Sequence, residues 1–256
     1  MIKRTLIVMA TSLLAVANLG AKDTMNSEQG AFLADPDIKQ VVMVISDDWD
    51  AQVAQQYRFE KHHGEWKVIG DTIPVNLGRT GLAWGIGLHP KQAGYHKKEG
   101  DGKAPAGIFD FGMAFGYLPE VATKMPYSQM HESNYCIDVN ASPLYNQIVD
   151  QKVVGVPATK GSTEAMRRDL FSQDDLYKKG LVIQHNPDNI ADAGSCIFMH
   201  LWRGPESATA GCTSMQESEM DALLAWLDQQ QQPRYVALPQ HEYLAKQKVW
   251  GLPKLP

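Results

Sequence analysis

The stretch VVMVISDDWDAQVAQQYRFEKHHGEWKV, residues 41–68, decides the fold class. Its first six residues are an unbroken apolar run of strand length. From Val53 to Phe59 apolar and polar residues largely alternate, and the alternation resumes at Trp66 after a break at Gly64. This pattern predicts a buried strand followed by a β-hairpin with KHHGE at its turn.

Further segments of strand type follow along the chain. They are IFDFGMAFGY (108–117), YCID (135–138), LVIQHN (181–186), CIFMHLW (196–202) and RYVAL (234–238). Helical patterns occur at TEAMRRDLFSQDDL (163–176) and at ESEMDALLAWLDQQ (217–230). Because strands and helices do not alternate regularly, the sequence predicts a mostly β domain with a few peripheral helices.

The first 21 residues have the pattern of a secretory signal peptide. Lys3 and Arg4 precede an apolar run, and AVA at 15–17 fits a cleavage site, with Ala21 as a second candidate. A membrane span needs about 20 apolar residues, so this run is short for an anchor. We therefore expect export to the periplasm, without stable membrane insertion.

The remaining chain divides into three predicted regions. Residues 22–37 are polar and predicted to be flexible, residues 38–240 form the folded domain, and residues 241–256 form a C-terminal tail. The net charge of −5 over 256 residues indicates no surface for nucleic acid. The oligomeric state is not predicted.

Three cysteines, Cys136, Cys196 and Cys212, leave at least one thiol without a partner in the chain. In an oxidising compartment a free thiol is a liability unless it is buried or functional. Cys136 and Cys196 could form a disulfide or remain two buried free thiols. We favour the free thiols, because the sequence does not show the distance between them.

The segment SCIFMHLWRGPESATAGCTSM, residues 195–215, holds the candidate functional residues. Alternate side chains of a strand share a face, so His200 points away from Met199 and Leu201, which are expected in the core. Gly211 permits a tight backbone beside Cys212. A thiol and an imidazole at this spacing are either a catalytic pair or two unrelated structural residues.

Ser214 and Glu217 have the spacing of a capping box, which predicts a helix beginning shortly after Cys212. The positive end of that helix and the His200 imidazole would both lower the pKa of the thiol. We therefore expect Cys212 to be the one fast-reacting cysteine of the chain.

This segment resembles the catalytic motif of the L,D-transpeptidases, also called the YkuD-like family. In that motif a histidine at a strand end is followed by a spacer and Ser/Thr-x-Gly-Cys, here His200, Thr209, Gly211 and Cys212. Two more segments resemble a branch of the family, KKEGDGKAPAGIFDFGMAFGY (97–117) and CIDVNASPLYNQIVD (136–150). The resemblance covers residues 95–235 and implies a β-sandwich-like YkuD fold.

The resemblance implies a cysteine acyl-transfer reaction on peptidoglycan stem peptides, without a cofactor. Cys212 would attack a stem-peptide carbonyl, with His200 as base and the Leu201 carbonyl orienting the imidazole. N–H groups near Gly211 and Cys212 would bind the oxyanion. Release of D-Ala would be followed by attack of an amine or of water, which gives transpeptidase or carboxypeptidase activity.

Two positions depart from the family motif. The family often has histidine before the Gly-Cys pair, where Ala210 stands, and Arg or Asn at the position of Ser214. Those positions commonly help to bind the donor peptide, so Ser214 and Thr209 are candidates for substrate binding here. Arg203 would supply a positive charge for a peptide carboxylate, or be a solvated surface arginine.

Other classes stay open. A Cys/His peptidoglycan amidase or endopeptidase of papain-like type usually has its cysteine before its histidine, the reverse of the order here. A non-catalytic cell-wall-binding module would need no reactive thiol.

The loop over residues 97–107 is long and rich in glycine, so it is expected beside the Cys212 site. The remaining histidines lack ligand spacing, so no metal site is predicted; they include His89, His96, His131 and His185.

Overall fold

The structure is a computed structural model that describes residues 32–256, and the predicted signal peptide lies outside the described residues. Its strands are β1 (Gln40–Ser46), β2 (Val53–His62), β3 (Glu65–Val68), β4 (Ile73–Asn76), β5 (Leu82–Trp84), β6 (Ala104–Gly116), β7 (Tyr127–Gln129), β8 (Asn134–Cys136), β9 (Ile148–Asp150), β10 (Glu164–Ala165), β11 (Lys179–Ile183), β12 (Phe198–Leu201), β13 (Thr213–Met215) and β14 (Arg234–Pro239). Its helices are α1 (Gln151–Val154), α2 (Val156–Thr159), α3 (Arg168–Phe171), α4 (Glu217–Trp226) and α5 (Gln240–Trp250), with a 3-10 turn at Gln229–Gln231.

The main sheet closes on itself. Its strands follow the order β1-β14-β6-β11-β12-β13-β4-β2, and β1 also pairs with β2, so these eight strands form a barrel-like ring. Closure leaves no edge among the eight strands, while β3 extends outward from β2. The predicted mostly β class is confirmed, whereas the specific sandwich-like fold is not.

The predicted hairpin is present as β2 and β3. His62 pairs with Glu65, which leaves His63 and Gly64 as a two-residue turn. Both turn residues have positive φ, +50° and +84°. Such a turn matches the right-handed twist of the two strands it connects.

A smaller sheet, in the order β10-β8-β9, lies outside the ring. A disulfide joins Cys136 at the end of β8 to Cys196, just before β12, with their Cα atoms 5.9 Å apart. The preference for two free thiols is therefore wrong. The fold brings together residues separated by 60 positions, a proximity that spacing in the sequence does not reveal.

Two apolar cores lie on opposite faces of β12. Ile197, Met199 and Leu201 belong to the large core of the ring. Phe198 belongs to a second cluster on the other face, together with Cys212. The predicted alternation of side chains along this strand is confirmed.

The helical segments agree with the sequence in part. Helix α4 is present and buries Met220, but its N-cap is Gln216, and Ser214 lies in β13. The predicted capping box is therefore wrong. Ser214 is part of strand β13 because it pairs with both β12 and β4.

Residues 163–176 do not form one helix. Thr163 donates its N–H and hydroxyl to the Asp138 carboxylate, and Glu164 begins a strand beside Cys136. Only α3 is helical within this segment. Local side-chain hydrogen bonds compete here with the helical pattern.

The segment assigned to a C-terminal tail contains α5. Its Trp250 is 3% exposed and contacts Phe32 and Trp84 edge-on. The Leu33 N–H donates to the Trp250 carbonyl oxygen at 3.1 Å. The end of the chain is thus part of the packed domain.

Candidate active site

His200 and Cys212 are brought together by two neighbouring parallel strands. His200 pairs with Ser214 in the β12–β13 ladder. Cys212 lies two positions before Ser214, so its side chain falls on the same face as that of His200. Both side chains line one cavity of about 390 Å³.

The loop that begins at Lys97 borders the same cavity, as predicted from the sequence. Lys97, Glu99 and Gly100 all contribute to its wall. Asp101 organises the loop, because its carboxylate accepts the N–H groups of Lys98 at 2.8 Å and Lys103 at 2.9 Å.

Glu99 ties this loop to the strand that carries the histidine. One of its carboxylate oxygens accepts hydrogen bonds from Tyr145 at 2.5 Å and from Ser195 at 2.7 Å. Ser195 precedes Cys196 and the β12 strand. Of the two acidic residues of the EGDG sequence, Asp101 therefore holds backbone N–H groups and Glu99 holds two side-chain hydroxyls beside the cavity.

The His200 imidazole is fixed on one side. Its Nδ1 lies 2.6 Å from the carbonyl oxygen of Leu201, so Nδ1 carries the proton and Nε2 is the basic nitrogen. The Tyr177 ring packs edge-on against it, with centroids 5.2 Å apart. Burial lowers the pKa of His200 to about 4, so the ring is neutral at pH 7.

The Cys212 thiol is also buried. The Phe198 N–H donates to Sγ at 3.3 Å, and the thiol itself donates to the Cys196 carbonyl oxygen at 3.5 Å. Burial raises the pKa of Cys212 to about 12. The expectation of a lowered pKa is wrong, because burial disfavours the thiolate and the thiol is followed by strand β13 rather than by the start of a helix.

Thr209 and Gly211 shape the turn before Cys212. The Thr209 hydroxyl donates to the Cys212 carbonyl oxygen at 2.6 Å and accepts the Gly211 N–H at 3.1 Å. Gly211 has a φ of +153°, and a Cβ there would lie 2.9 Å from the Lys103 carbonyl oxygen. The turn therefore requires glycine. One of the two N–H groups expected to bind an oxyanion already has an internal acceptor.

Two of the candidate substrate-binding residues, Ser214 and Arg203, differ in burial. Ser214 is fully buried, and its hydroxyl borders the cavity without a hydrogen-bond partner among the described residues. Arg203 is exposed at the rim, where its guanidinium lies 2.9 Å from Asp174. Its charge is therefore partly neutralised within the protein.

A charged cluster that the sequence did not indicate lines the cavity beside His200. Tyr177 donates its hydroxyl to Glu164 at 2.6 Å, and Arg168 binds Asp174 through two hydrogen bonds of 2.7 and 2.8 Å. Burial raises the pKa of Glu164. The helical interpretation of residues 163–176 did not indicate this cluster, because the charged residues of a surface helix are expected to face solvent.

Two features are not found in residues 32–256. No group of three or more His, Cys, Asp or Glu side chains in this range is arranged to hold a metal ion. His89 and His185 instead accept backbone N–H groups, from Ile108 and Ile86 respectively. No helix in the same range is long and apolar enough to cross a membrane.

Comparisons with known proteins give limited similarity. No protein-family model matches the chain, and no curated protein matches it. The crystal structure of the helical cell shape determining protein Pgp2 from Campylobacter jejuni is similar, with 14% identity and a TM-score of 0.35. A point mutant of that protein has the same identity and a TM-score of 0.37.

The similarity covers 81% of this chain and 52% of the Pgp2 chain, so this chain spans about half the length of that protein. Identities and TM-scores of this size do not establish a shared fold. Any proposed function therefore rests on the geometry and chemistry of the site rather than on these comparisons.

Proposed function

We propose that the chain is a periplasmic cysteine acyl-transfer enzyme of the L,D-transpeptidase type, acting on peptidoglycan stem peptides. The observation that carries the proposal is the pairing of His200 and Cys212. His200 lies in β12, Cys212 directly precedes the adjacent parallel strand β13, and both residues line one cavity. Hydrogen bonding of Nδ1 to the Leu201 carbonyl leaves Nε2 as a base.

The first half-reaction begins from a neutral thiol and a neutral imidazole. The thiol proton must turn from the Cys196 carbonyl oxygen towards His200, because the thiol donates to that carbonyl in the free protein. His200 takes the proton while Sγ bonds to the peptide carbonyl carbon. The C–N bond then breaks, the proton passes to the leaving amine, and D-Ala leaves from a thioester on Cys212.

The second half-reaction restores the thiol. Water or an acceptor amine gives a proton to His200 and bonds to the thioester carbon. The C–S bond breaks, and the proton returns to Sγ. Water gives a shortened peptide, which is carboxypeptidase activity, and an amine gives a cross-link.

The turn at Cys212 supports binding of the oxyanion. The Gly211 N–H donates to Thr209, so we assign the oxyanion contact to the N–H of Cys212. Ser214 belongs to the cavity wall, and its buried hydroxyl has no hydrogen-bond partner among the described residues. A peptide group that reached this hydroxyl would supply the missing hydrogen bond.

Charges of both signs line the cavity and suit a peptide that carries both ammonium and carboxylate groups. Cationic side chains come from Arg79, Lys97, Arg168 and Arg203, and acidic ones from Glu99, Asp138 and Glu164. This composition and the resemblance of the His200–Cys212 motif to the family support stem peptides as the substrate class.

The test is incubation of the protein with stem tetrapeptides, with mass spectrometry of the products. Loss of D-Ala, with or without joining to an amine acceptor, is expected from the unaltered protein. Cys212→Ala should abolish turnover, and His200→Ala should slow it by orders of magnitude. His131→Ala, which replaces an exposed histidine, is the matched control and should keep full activity.

Three results would contradict the proposal. Full activity of Cys212→Ala would exclude the thioester. Binding of peptidoglycan without turnover by the unaltered protein would favour a wall-binding module. Cleavage at an amide bond other than the one to the terminal D-Ala would favour an amidase or endopeptidase.

A further inference from the structure

Lys97 occupies a slot that two glycines leave open beside the candidate nucleophile. A Cβ on Gly194 would lie 2.8 Å from Lys97 Cε, and a Cβ on Gly211 would lie 3.3 Å from Lys97 Nζ. The Lys97 side chain is only 3% exposed. The missing side chains at the two glycines thus let a long cationic side chain run through the interior to the residue that precedes Cys212.

The ammonium of Lys97 is held in a fixed position. Its Nζ donates to Asp101 Oδ1 at 2.9 Å and to the Lys98 carbonyl oxygen at 3.5 Å. The Asp101 side chain is itself only 7% exposed. Burying a charged pair costs free energy, so stability alone does not account for this arrangement beside the cavity.

Cys212 becomes negatively charged within the protein when it gives its proton to His200. The imidazolium that forms on His200 balances this charge only while it holds the proton. Tyr177 is neutral, and Glu164 disfavours a negative charge at the sulfur. Of the two permanent cations that favour the charge, Arg168 is engaged with Asp174 and Glu164. Lys97 has a single carboxylate partner, whose charge is shared with two backbone N–H groups.

We propose that the Lys97 ammonium is the fixed counter-charge that stabilises the Cys212 thiolate when the thiol loses its proton. This inference deepens the proposed function, on which its relevance to turnover rests. It makes Lys97 an electrostatic partner of the nucleophile rather than only a support for the loop. The positive charge of Lys97 acts to lower the pKa of the thiol, and one pKa unit corresponds to about a tenfold change in the thiol equilibrium.

The thiolate can be measured without any peptidoglycan substrate. Cys136 and Cys196 are joined in the disulfide, so Cys212 is the one free thiol of the three in the sequence. Iodoacetamide is uncharged and reacts with the thiolate, so its rate at pH 8 reports the thiolate fraction. Labelling is followed by mass spectrometry of the folded protein.

Three variants give the comparison. Lys97→Met removes the charge, and Lys97→Met/Asp101→Asn also removes the carboxylate that would otherwise stay buried and unpaired. Both should be alkylated about tenfold more slowly than the unaltered protein. Lys98→Met, which removes the same charge from the exposed neighbouring residue, should stay within about twofold.

The direction of the change separates an electrostatic role from a structural one. If Lys97 only supported the loop, its replacement would open the site and speed alkylation of Cys212. If Lys97 is the counter-charge, its replacement slows alkylation. Alkylation of the folded Lys97 variants at or above the rate of the unaltered protein would overturn the inference. Slower alkylation with no turnover of any stem peptide would support the counter-charge and contradict the proposed function.

Discussion

Removal of the Cys136–Cys196 disulfide should destabilise the protein strongly without removing the nucleophile. The bond closes a loop with a sequence separation of 60. Constraint of the unfolded chain by a loop of this length contributes about 4 kcal/mol to the free energy of unfolding. Both residues are buried, so two serines would also place hydroxyl groups in an apolar cluster.

Thermal unfolding followed by circular dichroism measures this effect. In a domain of this size about 4 kcal/mol corresponds to a decrease in Tm of about 8–16 °C for the Cys136→Ser/Cys196→Ser variant. A reductant should lower the Tm of the unaltered protein by a similar amount and leave the variant unchanged. A variant Tm within about 2 °C of the unaltered protein would refute the reasoning.

Two further predictions concern the packed core. Trp250→Ala should lower the free energy of unfolding by about 3 kcal/mol because the side chain is buried, whereas Val249→Ala, at 45% exposure, should change it by less than about 0.5 kcal/mol. Equal free energies of unfolding in urea for the two variants would show that the packing of α5 does not contribute. The free energy of unfolding should also fall from pH 7 to pH 5, because three buried imidazoles have pKa values lowered from 6.5 to about 4 and the unfolded chain therefore binds protons first. Each imidazole should contribute about 2 kcal/mol to this loss. A Tm that is constant between pH 5 and pH 7 would contradict this prediction. The three are His89, His185 and His200.

The local parts of the fold were predictable from side-chain patterns. Strand β1, the β2–β3 hairpin and helix α4 follow from apolar runs, alternation and helical spacing, and each is present. The alternation along β12 also placed His200 and Leu201 on opposite faces correctly. These features depend on interactions between residues only a few positions apart, and such interactions can be read from a short stretch of sequence.

Errors arose where distant segments determine local structure. Ser214 has the spacing of a helix cap but lies in a strand, since β12 and β4 pair with it from either side. Glu164 was assigned to a helix but lies in β10, where it pairs with Cys136, and it contributes to the cavity wall. In each case pairing across the chain outweighs the local preference.

The sequence by itself determined the β class, and it indicated as candidates the histidine, the later cysteine and the loop that the structure places around one cavity. Only the tertiary structure decided the closure of the sheet, the disulfide and the charges that surround Cys212. The tertiary structure also decided the protonation states of Cys212 and His200. Burial raises the pKa of the Cys212 thiol and lowers the pKa of the His200 imidazole. Burial is a property of the whole fold rather than of neighbouring residues in the sequence.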